Sequence, residues 1–233
     1  MIIKLKCEFK SGEAKEVKLL WDCCVAAGYT GRAQEAVMAH IEELKKLGVP
    51  APKKVPATYW IDPSRVTTDD KVFVIGEKTS GEVEFFLATD EEGELFVTVG
   101  SDHTDRELEK ISVSKAKQIC SKVIAPVCWK LKEIEEHWDE LKLRMEVKNK
   151  AEEDFTLYQE GNVSKILRPE ELLKLACEER PEATEKPAIF SGTVPIVTED
   201  VLFAKIYRMR IQDPILRREI VHIYKVITLP DKI

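Results

Sequence analysis

Two strand-like runs joined by a tight turn, at residues 81–100, constrain the fold of this chain most. The run 81–89 is followed by the turn residues Asp90 to Gly93 and by a second run, 94–100. A short turn that ends in glycine is typical of antiparallel hairpins. Because further strand-like runs precede and follow this hairpin, the sequence predicts an α+β fold dominated by mixed strands.

The remaining elements are predicted from hydrophobic periodicity and from the positions of glycine and proline. Further strands are predicted at 2–9, 15–21, 71–76, 142–149, 155–159, 188–193, 202–211 and 219–227. Helical stretches are predicted within 33–47, 105–122, 129–141 and 169–179. The segment 49–70 contains four prolines, so the sequence predicts a stiff, irregular connection there.

Composition excludes several classes of protein. The 233 residues include 36 Lys and Arg against 42 Asp and Glu, and 44% of them are hydrophobic. This balance argues against a disordered chain, and a mildly acidic surface argues against a nucleic-acid binder. No run of 18 apolar residues and no secretory signal is recognised, so we expect no membrane span and a cytoplasmic protein. The six cysteines form no C-x-x-C pair and are expected to be reduced, mostly buried thiols.

Three carboxylates are predicted to meet at the base of the hairpin. Glu82 and Glu84 are two residues apart and therefore share one face of their strand, and Asp102 follows the partner strand. Clustered carboxylates repel one another unless a hard cation such as Mg²⁺ or Mn²⁺ lies between them. The alternative is a solvated strand face next to an ordinary turn aspartate.

Segments along most of the chain match the motifs of one family in the same order. They are Glu82-x-Glu84, the run from Gly100 to Arg106, His40-x-x-Glu43, Ala116-Lys117-Gln118, the run from Gln159 to Ser164, and Ile189-Phe190-Ser191-Gly192-Thr193. Together these segments, spanning about residues 30–195, resemble the fumarylacetoacetate hydrolase superfamily.

The resemblance implies a mixed β-sheet roll with a few short peripheral helices. It implies one domain over 1–233, with N-terminal strands at 1–30 and a catalytic core at 31–233. It also implies that the chain is a homodimer and acts on a small carboxylic acid.

Roles for individual residues follow from the same resemblance. Glu82, Glu84 and Asp102 are the implied ligands of Mg²⁺ or Mn²⁺. His40, with Glu43 orienting it, is the implied base, and Lys117 is the implied lysine that faces the substrate. The implied substrate-binding residues are Arg106, Gln159 and Thr193.

The implied reaction is hydrolysis of a carbon–carbon bond in a 1,3-dicarbonyl or acylpyruvate-like 2-oxo acid. Two departures leave alternatives open: Ala36-Val37 replaces an Asn-Tyr pair, and Glu109 replaces a glutamine. The alternatives are a decarboxylase, hydratase or keto–enol isomerase, or a non-catalytic binding or oligomerisation module. Lys122 is a rival to Lys117, and His103 is a partner of the site, a local replacement base or a plain turn residue.

Overall fold

A computed structural model describes residues 1–46 and 48–230, and the side chain of His40 lies outside that description. Within this part of the chain, strands predominate and the α-helices are short. The strands are β1 (Ile2–Glu8), β2 (Ala14–Leu20), β3 (Cys23–Gly28), β4 (Ala57–Ile61), β5 (Val66–Thr67), β6 (Lys71–Ile75), β7 (Thr79–Ser80), β8 (Val83–Thr89), β9 (Leu95–Ser101), β10 (Thr104–Asp105), β11 (Lys122–Ile124), β12 (Val127–Lys130), β13 (Lys142–Lys148), β14 (Thr156–Asn162), β15 (Pro187–Phe190), β16 (Ile206–Asp213) and β17 (Arg218–Leu229). The helices are α1 (Gln34–Lys46), α2 (Arg106–Glu109), α3 (Val113–Ile119) and α4 (Pro169–Glu179).

The larger sheet of the described residues has ten strands, with parallel and antiparallel neighbours. Its order is β4-β3-β15-β8-β2-β1-β12-β9-β11-β5, and β8 also pairs with β9. This additional pairing closes β8, β2, β1, β12 and β9 into a ring. The hairpin of β8 and β9 therefore has neighbours on both sides, which holds its register firmly.

A second sheet packs against the first. Its five strands follow the order β14-β13-β16-β17-β6, and a separate pair joins β10 to β7. Only β17 and β6 run parallel in the five-stranded sheet as described. The pairing of β10 with β7 places the chain after Asp102 against the segment before Glu82.

Both faces of β8 are buried, each in a different apolar cluster. Phe85 and Leu87 belong to the larger cluster between the sheets, whereas Phe86 and Ala88 belong to the smaller cluster associated with the ring. Phe85 packs edge-on against Trp138 with ring centroids 4.9 Å apart. Because both faces are enclosed, the acidic residue Glu84 near the start of β8 is also buried.

Several elements differ from the sequence prediction. The segment predicted as irregular contains β4 and β5, and β4 pairs antiparallel with β3. Strand β3 has no alternation because five of its six residues are buried, so its pattern did not reveal a strand. The stretch predicted to be helical at 129–141 contains the end of β12 and two short 3₁₀ segments, Leu131–Glu133 and Glu135–Glu140.

The strand predicted at 202–211 begins only at Ile206, whereas two other predictions are confirmed. Helix α4 begins at Pro169 as predicted, and the hairpin turn closes with Gly93 at φ +83°. None of the α-helices in the described residues combines the length and apolar character that crossing a membrane requires. The single domain over 1–233, made of N-terminal strands at 1–30 and a catalytic core at 31–233, stays a prediction.

Candidate metal centre

The β8–β9 hairpin brings the three predicted carboxylates together. Glu84 lies opposite Gly100, and the backbone N–H of Asp102 donates to the carbonyl of Glu82 at 3.0 Å. One carboxylate oxygen from each of the three residues lies within 4.8 Å of the others. Asp102 is fully buried and Glu84 is 1% exposed, so these two residues do not form the solvated strand face of the alternative.

The carboxylate of Glu84 is held by a backbone donor from the loop that follows the neighbouring strand β15. Gly192 N–H donates to Glu84 Oε2 at 2.9 Å. Gly192 has φ +87°, and a Cβ atom there would collide with Thr30 Oγ1 and lie 3.1 Å from Ala27 O. Only glycine fits this position without strain. Burial, and next the charge of Asp102, raise the pKa of Glu84 well above its usual value.

Two lysines share the carboxylate of Asp102. Lys117 donates to Asp102 Oδ2 and lies 3.3 Å from Glu82 Oε2. Lys122 lies 2.7 Å from Asp102 Oδ1 and also donates to the carbonyl of His103. Lys117 lines a cavity together with Glu82 and Glu84, whereas Lys122 has no exposed side-chain surface. Of the two rivals, Lys117 is therefore the lysine that faces the cavity.

The electrostatics of this cluster favour ionised partners. Burial raises the pKa of Asp102, but the charges of Lys117 and Lys122 outweigh burial and hold that pKa well below its usual value. Burial lowers the pKa of the Lys117 amine, but the neighbouring carboxylates, led by Asp102, outweigh burial and raise that pKa well above its usual value. The pair of Asp102 and Lys117 is consequently charged at neutral pH.

Arg106 is bound on every side by protein groups. Its Nε donates to Ser80 Oγ at 2.7 Å, and its terminal nitrogens lie 3.2 Å from Glu82 Oε1 and 3.0 Å from Glu109 Oε2. The acidic Glu109, which departs from the family pattern, is thus paired with the arginine. Arg106 lines a second cavity, which is the larger of the two beside the carboxylates. Its contacts orient Glu82 toward the other carboxylates.

Gln159 and Thr193 connect β8 to the loop after β15. The Gln159 amide oxygen accepts from Val83 N–H at 2.9 Å, and its NH₂ group donates to Thr193 Oγ1 and Val194 O, each at 2.8 Å. Thr193 Oγ1 donates to Val83 O at 2.8 Å. Both residues line the larger cavity. The amide oxygen and the NH₂ group of Gln159 are already engaged by these contacts within the protein.

The residues of the predicted catalytic pair lie on α1. Glu43 is exposed and lines the larger cavity together with Glu82. The position of the His40 side chain lies outside the described residues, so the pairing of His40 with Glu43 stays a prediction.

Two cavities lie beside the carboxylates and share Glu82 in their walls. The larger has a volume of about 940 Å³ and the smaller about 580 Å³. Glu82, Glu109 and Thr193 line both of them. Sequence reasoning missed Tyr158 and Phe203 in the wall of the larger cavity. Neither residue is marked by a local motif, since each comes from a distant part of the chain.

Two other histidines, His103 and His137, are held by neighbouring side chains. The His103 ring is fully buried between Tyr224 Oη at 3.1 Å and Thr79 Oγ1 at 2.9 Å. Burial, and next Lys122 and Arg106, lower the pKa of His103 to about 3, so the ring is neutral. His137 Nε2 contacts the Asp213 carboxylate at 3.1 Å.

A divalent cation fits the donor set of this site. Three carboxylates supply the hard oxygen ligands that Mg²⁺ and Mn²⁺ prefer. Glu82, Glu84 and Asp102 are each held in place by other protein groups and converge beside the smaller cavity, which Glu82 and Glu84 line. Lys117 and Lys122 offset part of the repulsion among these groups. The raised pKa of Glu84 shows that its ionised form is still disfavoured, by burial and by the charge of Asp102, and a bound cation would relieve this cost.

The architecture belongs to a known structural class. The crystal structure of Cg1458 superposes with a TM-score of 0.62 at 14% identity, covering 93% of this chain and 80% of the other. The apo form of 2-keto-3-deoxy-D-arabinonate dehydratase gives 0.59 at 16%, covering 90% and 74%. Maleylpyruvate hydrolase from Sphingobium sp. SYK-6 gives 0.55 at 12%, covering 93% and 75%. The fold is of the fumarylacetoacetate-hydrolase type, which confirms the predicted fold class.

The sequence itself matches one family. The model of the family described as protein of unknown function DUF2848 matches residues 27–224. The chain therefore belongs to the DUF2848 family. A comparison of the sequence with curated proteins gave no significant match.

Proposed function

We propose that the chain is a divalent-metal-dependent hydrolase that cleaves a carbon–carbon bond in an acylpyruvate-like 2-oxo acid. The observation that carries this proposal is the convergence of Glu82, Glu84 and Asp102 beside Lys117, where Glu82, Glu84 and Lys117 line a cavity and Asp102 lies buried behind them. Solved proteins of the same fold include a maleylpyruvate hydrolase, and a fold that hosts such a reaction supports the proposal by analogy.

Glu82, Glu84 and Asp102 would hold the cation, which we propose to be Mg²⁺ or Mn²⁺. When bound, the cation supplies Lewis-acid polarisation of the substrate oxygens. The Lys117 ammonium lies beside these ligands and would donate hydrogen bonds to negative charge that develops on the substrate.

Arg106, Gln159 and Thr193 are proposed to form the wall that contacts the substrate. The contacts of Arg106 and Gln159 within the protein support a mainly positioning role for both residues. Of these three residues, Thr193 is the one that lines both cavities.

Hydrolysis also requires activation of water. In the proposed step, His40 oriented by Glu43 takes a proton from water, and the water oxygen attacks the distal carbonyl carbon of the substrate. The bond from that carbon to the neighbouring methylene carbon breaks, and its electron pair becomes an enolate. Protonation of the enolate releases a 2-oxo acid beside the new carboxylic acid, so that one water is consumed.

Calorimetry of Mg²⁺ and Mn²⁺ binding tests the metal site. The wild type should bind one of these ions, and Glu84→Ala should lose that binding by at least about 100-fold because a buried ligand is removed. Glu94→Ala is the matched control, since Glu94 lies at the opposite end of the same hairpin. Unchanged affinity in Glu84→Ala would show that the ligands are assigned wrongly. Absence of binding by the wild type would favour the non-catalytic module.

Turnover of acetylpyruvate, with products identified by NMR, tests the reaction. We expect acetate and pyruvate from the wild type, and loss of both products in His40→Ala with metal affinity retained. Full hydrolysis by His40→Ala would remove histidine from the mechanism.

A lyase is the second candidate, because Lys117 already contacts two of the candidate ligands. A lysine in that place can serve a dehydratase, decarboxylase or isomerase without a water-activating pair. Two of the solved structures with this fold are of 2-keto-3-deoxyarabinonate dehydratase. Oxaloacetate turnover to pyruvate that survives His40→Ala and is lost in Lys117→Met would favour this candidate.

We also propose a homodimer formed through the outer face of the five-stranded sheet. Phe73 is 55% and Ile75 56% exposed on the edge strand β6, next to Ile227 and Leu229 of β17. Beside this apolar strip lies a network of arginines and glutamates, and mixed charges of this kind allow a surface to pair with its own copy. Analytical ultracentrifugation should find a dimer that Phe73→Glu dissociates. A monomeric wild type would contradict the proposal.

For the location of the protein, we propose the cytoplasm. Five of the six cysteines are buried and all six are free thiols, a pattern typical of reducing compartments.

A further inference from the structure

We propose that the two lysines on Asp102 have different functions: Lys122 holds the carboxylate permanently, whereas Lys117 competes with the divalent cation for Glu82 and Asp102. This inference rests on the metal site proposed above and goes beyond it by assigning separate functions to the two ammonium groups.

The contacts of Lys117 overlap with those that a cation requires. Its ammonium touches Glu82 Oε2 at 3.3 Å and Asp102 Oδ2, so it contacts two of the three candidate ligands. A cation bound by all three carboxylates would lie about 2.0–2.2 Å from each ligand oxygen. Two positive charges at such close range repel strongly in a buried site. The Lys117 ammonium and the cation therefore exclude one another from these oxygens.

The count of charges leads to the same conclusion. Once Glu84 has lost its proton, as ligation of a cation requires, the cluster contains four charged carboxylates, from the triad and Glu109, and three cationic groups, from Lys117, Lys122 and Arg106. A divalent cation added to this set would leave one excess positive charge. If Lys117 withdraws into the solvent-accessible cavity, the remaining charges balance.

Lys117 has room to withdraw. It lies in the last turn of α3 and lines the 580 Å³ cavity. Its Nζ lies 5.8 Å from the ring centroid of Tyr59, whose face can accept an ammonium. A flexible four-carbon stem allows the group to move between the carboxylates and the cavity.

Lys122 has no such freedom. Its side chain is fully buried and lines neither cavity described above. The pairing of Val123 with Ser101 places Lys122 next to Asp102 across β11 and β9. Its contacts with Asp102 Oδ1 and the His103 carbonyl leave Oδ2 as the oxygen that meets Lys117, whose ammonium also contacts Glu82. Lys122 is therefore a positioning residue that sets which oxygen of Asp102 is available.

Metal titration of single variants tests this division of function. Lys117→Met should bind Mn²⁺ about tenfold more tightly than the wild type, because the competing charge is gone. Lys122→Met should bind Mn²⁺ at least about tenfold more weakly, because Asp102 is no longer oriented. Lys115→Met is the matched control, since Lys115 is an exposed lysine on the same helix. Opposite effects of the two variants are not expected from a loss of packing, and thermal melting verifies that each variant is folded.

Lysine labelling of the wild type gives a second measurement that requires no substitution. Acetylation followed by mass spectrometry should show that Mn²⁺ increases the reactivity of Lys117, while Lys122 remains unreactive. Weaker binding in Lys117→Met, or equal affinity with unchanged labelling, would overturn the inference and leave the metal site intact. Absence of Mn²⁺ binding in the wild type and in Lys117→Met would overturn both the metal site and the inference.

Discussion

Two clusters of charged side chains in this molecule have similar residue types but differ in how their charges are balanced. Around Asp102, several carboxylates converge on a cavity and share a smaller number of cations. On the outer face of the five-stranded sheet, the single carboxylate of Glu146 is contacted by Arg208 at 2.7 Å, Arg144 at 3.2 Å and Arg210 at 3.8 Å. The second cluster neutralises its anion completely.

The difference shows which kind of cluster indicates a ligand. An acidic group surrounded by arginines has its charge satisfied within the protein and needs no further partner. Acidic groups that converge on a cavity retain unbalanced repulsion, which a cation can relieve. The convergence of like charges, and not their burial alone, distinguishes the candidate metal centre from the surface network.

Asp102→Asn should have the largest effect on stability. The substitution removes the charge that Lys122 requires, and an unpaired buried ammonium costs about 3–5 kcal/mol. Urea unfolding measures this loss directly. A destabilisation no greater than that of Glu146→Gln would mean that the two clusters do not differ in the way we describe.

Saturation with Mg²⁺ should stabilise the wild type next most strongly. A ligand at about 100 times its Kd adds about 2.7 kcal/mol, or roughly 5–10 °C in Tm for a chain of this size. A chelator should reverse the shift, Glu84→Ala should abolish it, and Glu146→Gln should retain it. A shift that persists in Glu84→Ala would place the cation elsewhere.

Gly192→Ala should have a smaller effect that includes both stability and metal affinity. A side chain at φ +87° costs about 1–2 kcal/mol, and the collision with Thr30 would displace the N–H group that holds Glu84. Gly12→Ala is the matched control, because Gly12 has φ +86° with nothing near its Cβ position. We expect both variants to lose stability and only Gly192→Ala to bind Mg²⁺ more weakly.

Glu146→Gln should have the smallest effect, about 1 kcal/mol at neutral pH. Burial raises the pKa of Glu146, but its arginine partners, led by Arg208, hold that pKa below the ordinary value of 4.5. The stability contributed by the ionised group is therefore present above pH 4.5 and is lost as the pH falls through the lowered pKa. The free energies of unfolding of the wild type and Glu146→Gln, measured by chemical denaturation, should converge as the pH falls below 4.5. A difference that stays constant with pH would contradict this assignment.

Local pattern was sufficient for the hairpin and its carboxylates. Alternation of residue types placed Glu82 and Glu84 on one face, and the turn at Asp90–Gly93 determined that Asp102 would return beside them. The same method missed β3, because a strand that is buried on both faces carries no alternation. It also interpreted 129–141 as a helix, although apolar spacing in a short segment does not distinguish 3₁₀ turns from an α-helix.

The sequence by itself determined that the chain is dominated by strands and that three carboxylates lie at the base of one hairpin, since both depend on residues close together in the chain. Only the tertiary structure decided that Lys117 faces the cavity while Lys122 is buried, and that Arg106 contacts Ser80 and Glu82. It also brought Gly192 to Glu84 from more than 100 residues away. These contacts depend on how distant strands pack, and local periodicity contains no information about that packing.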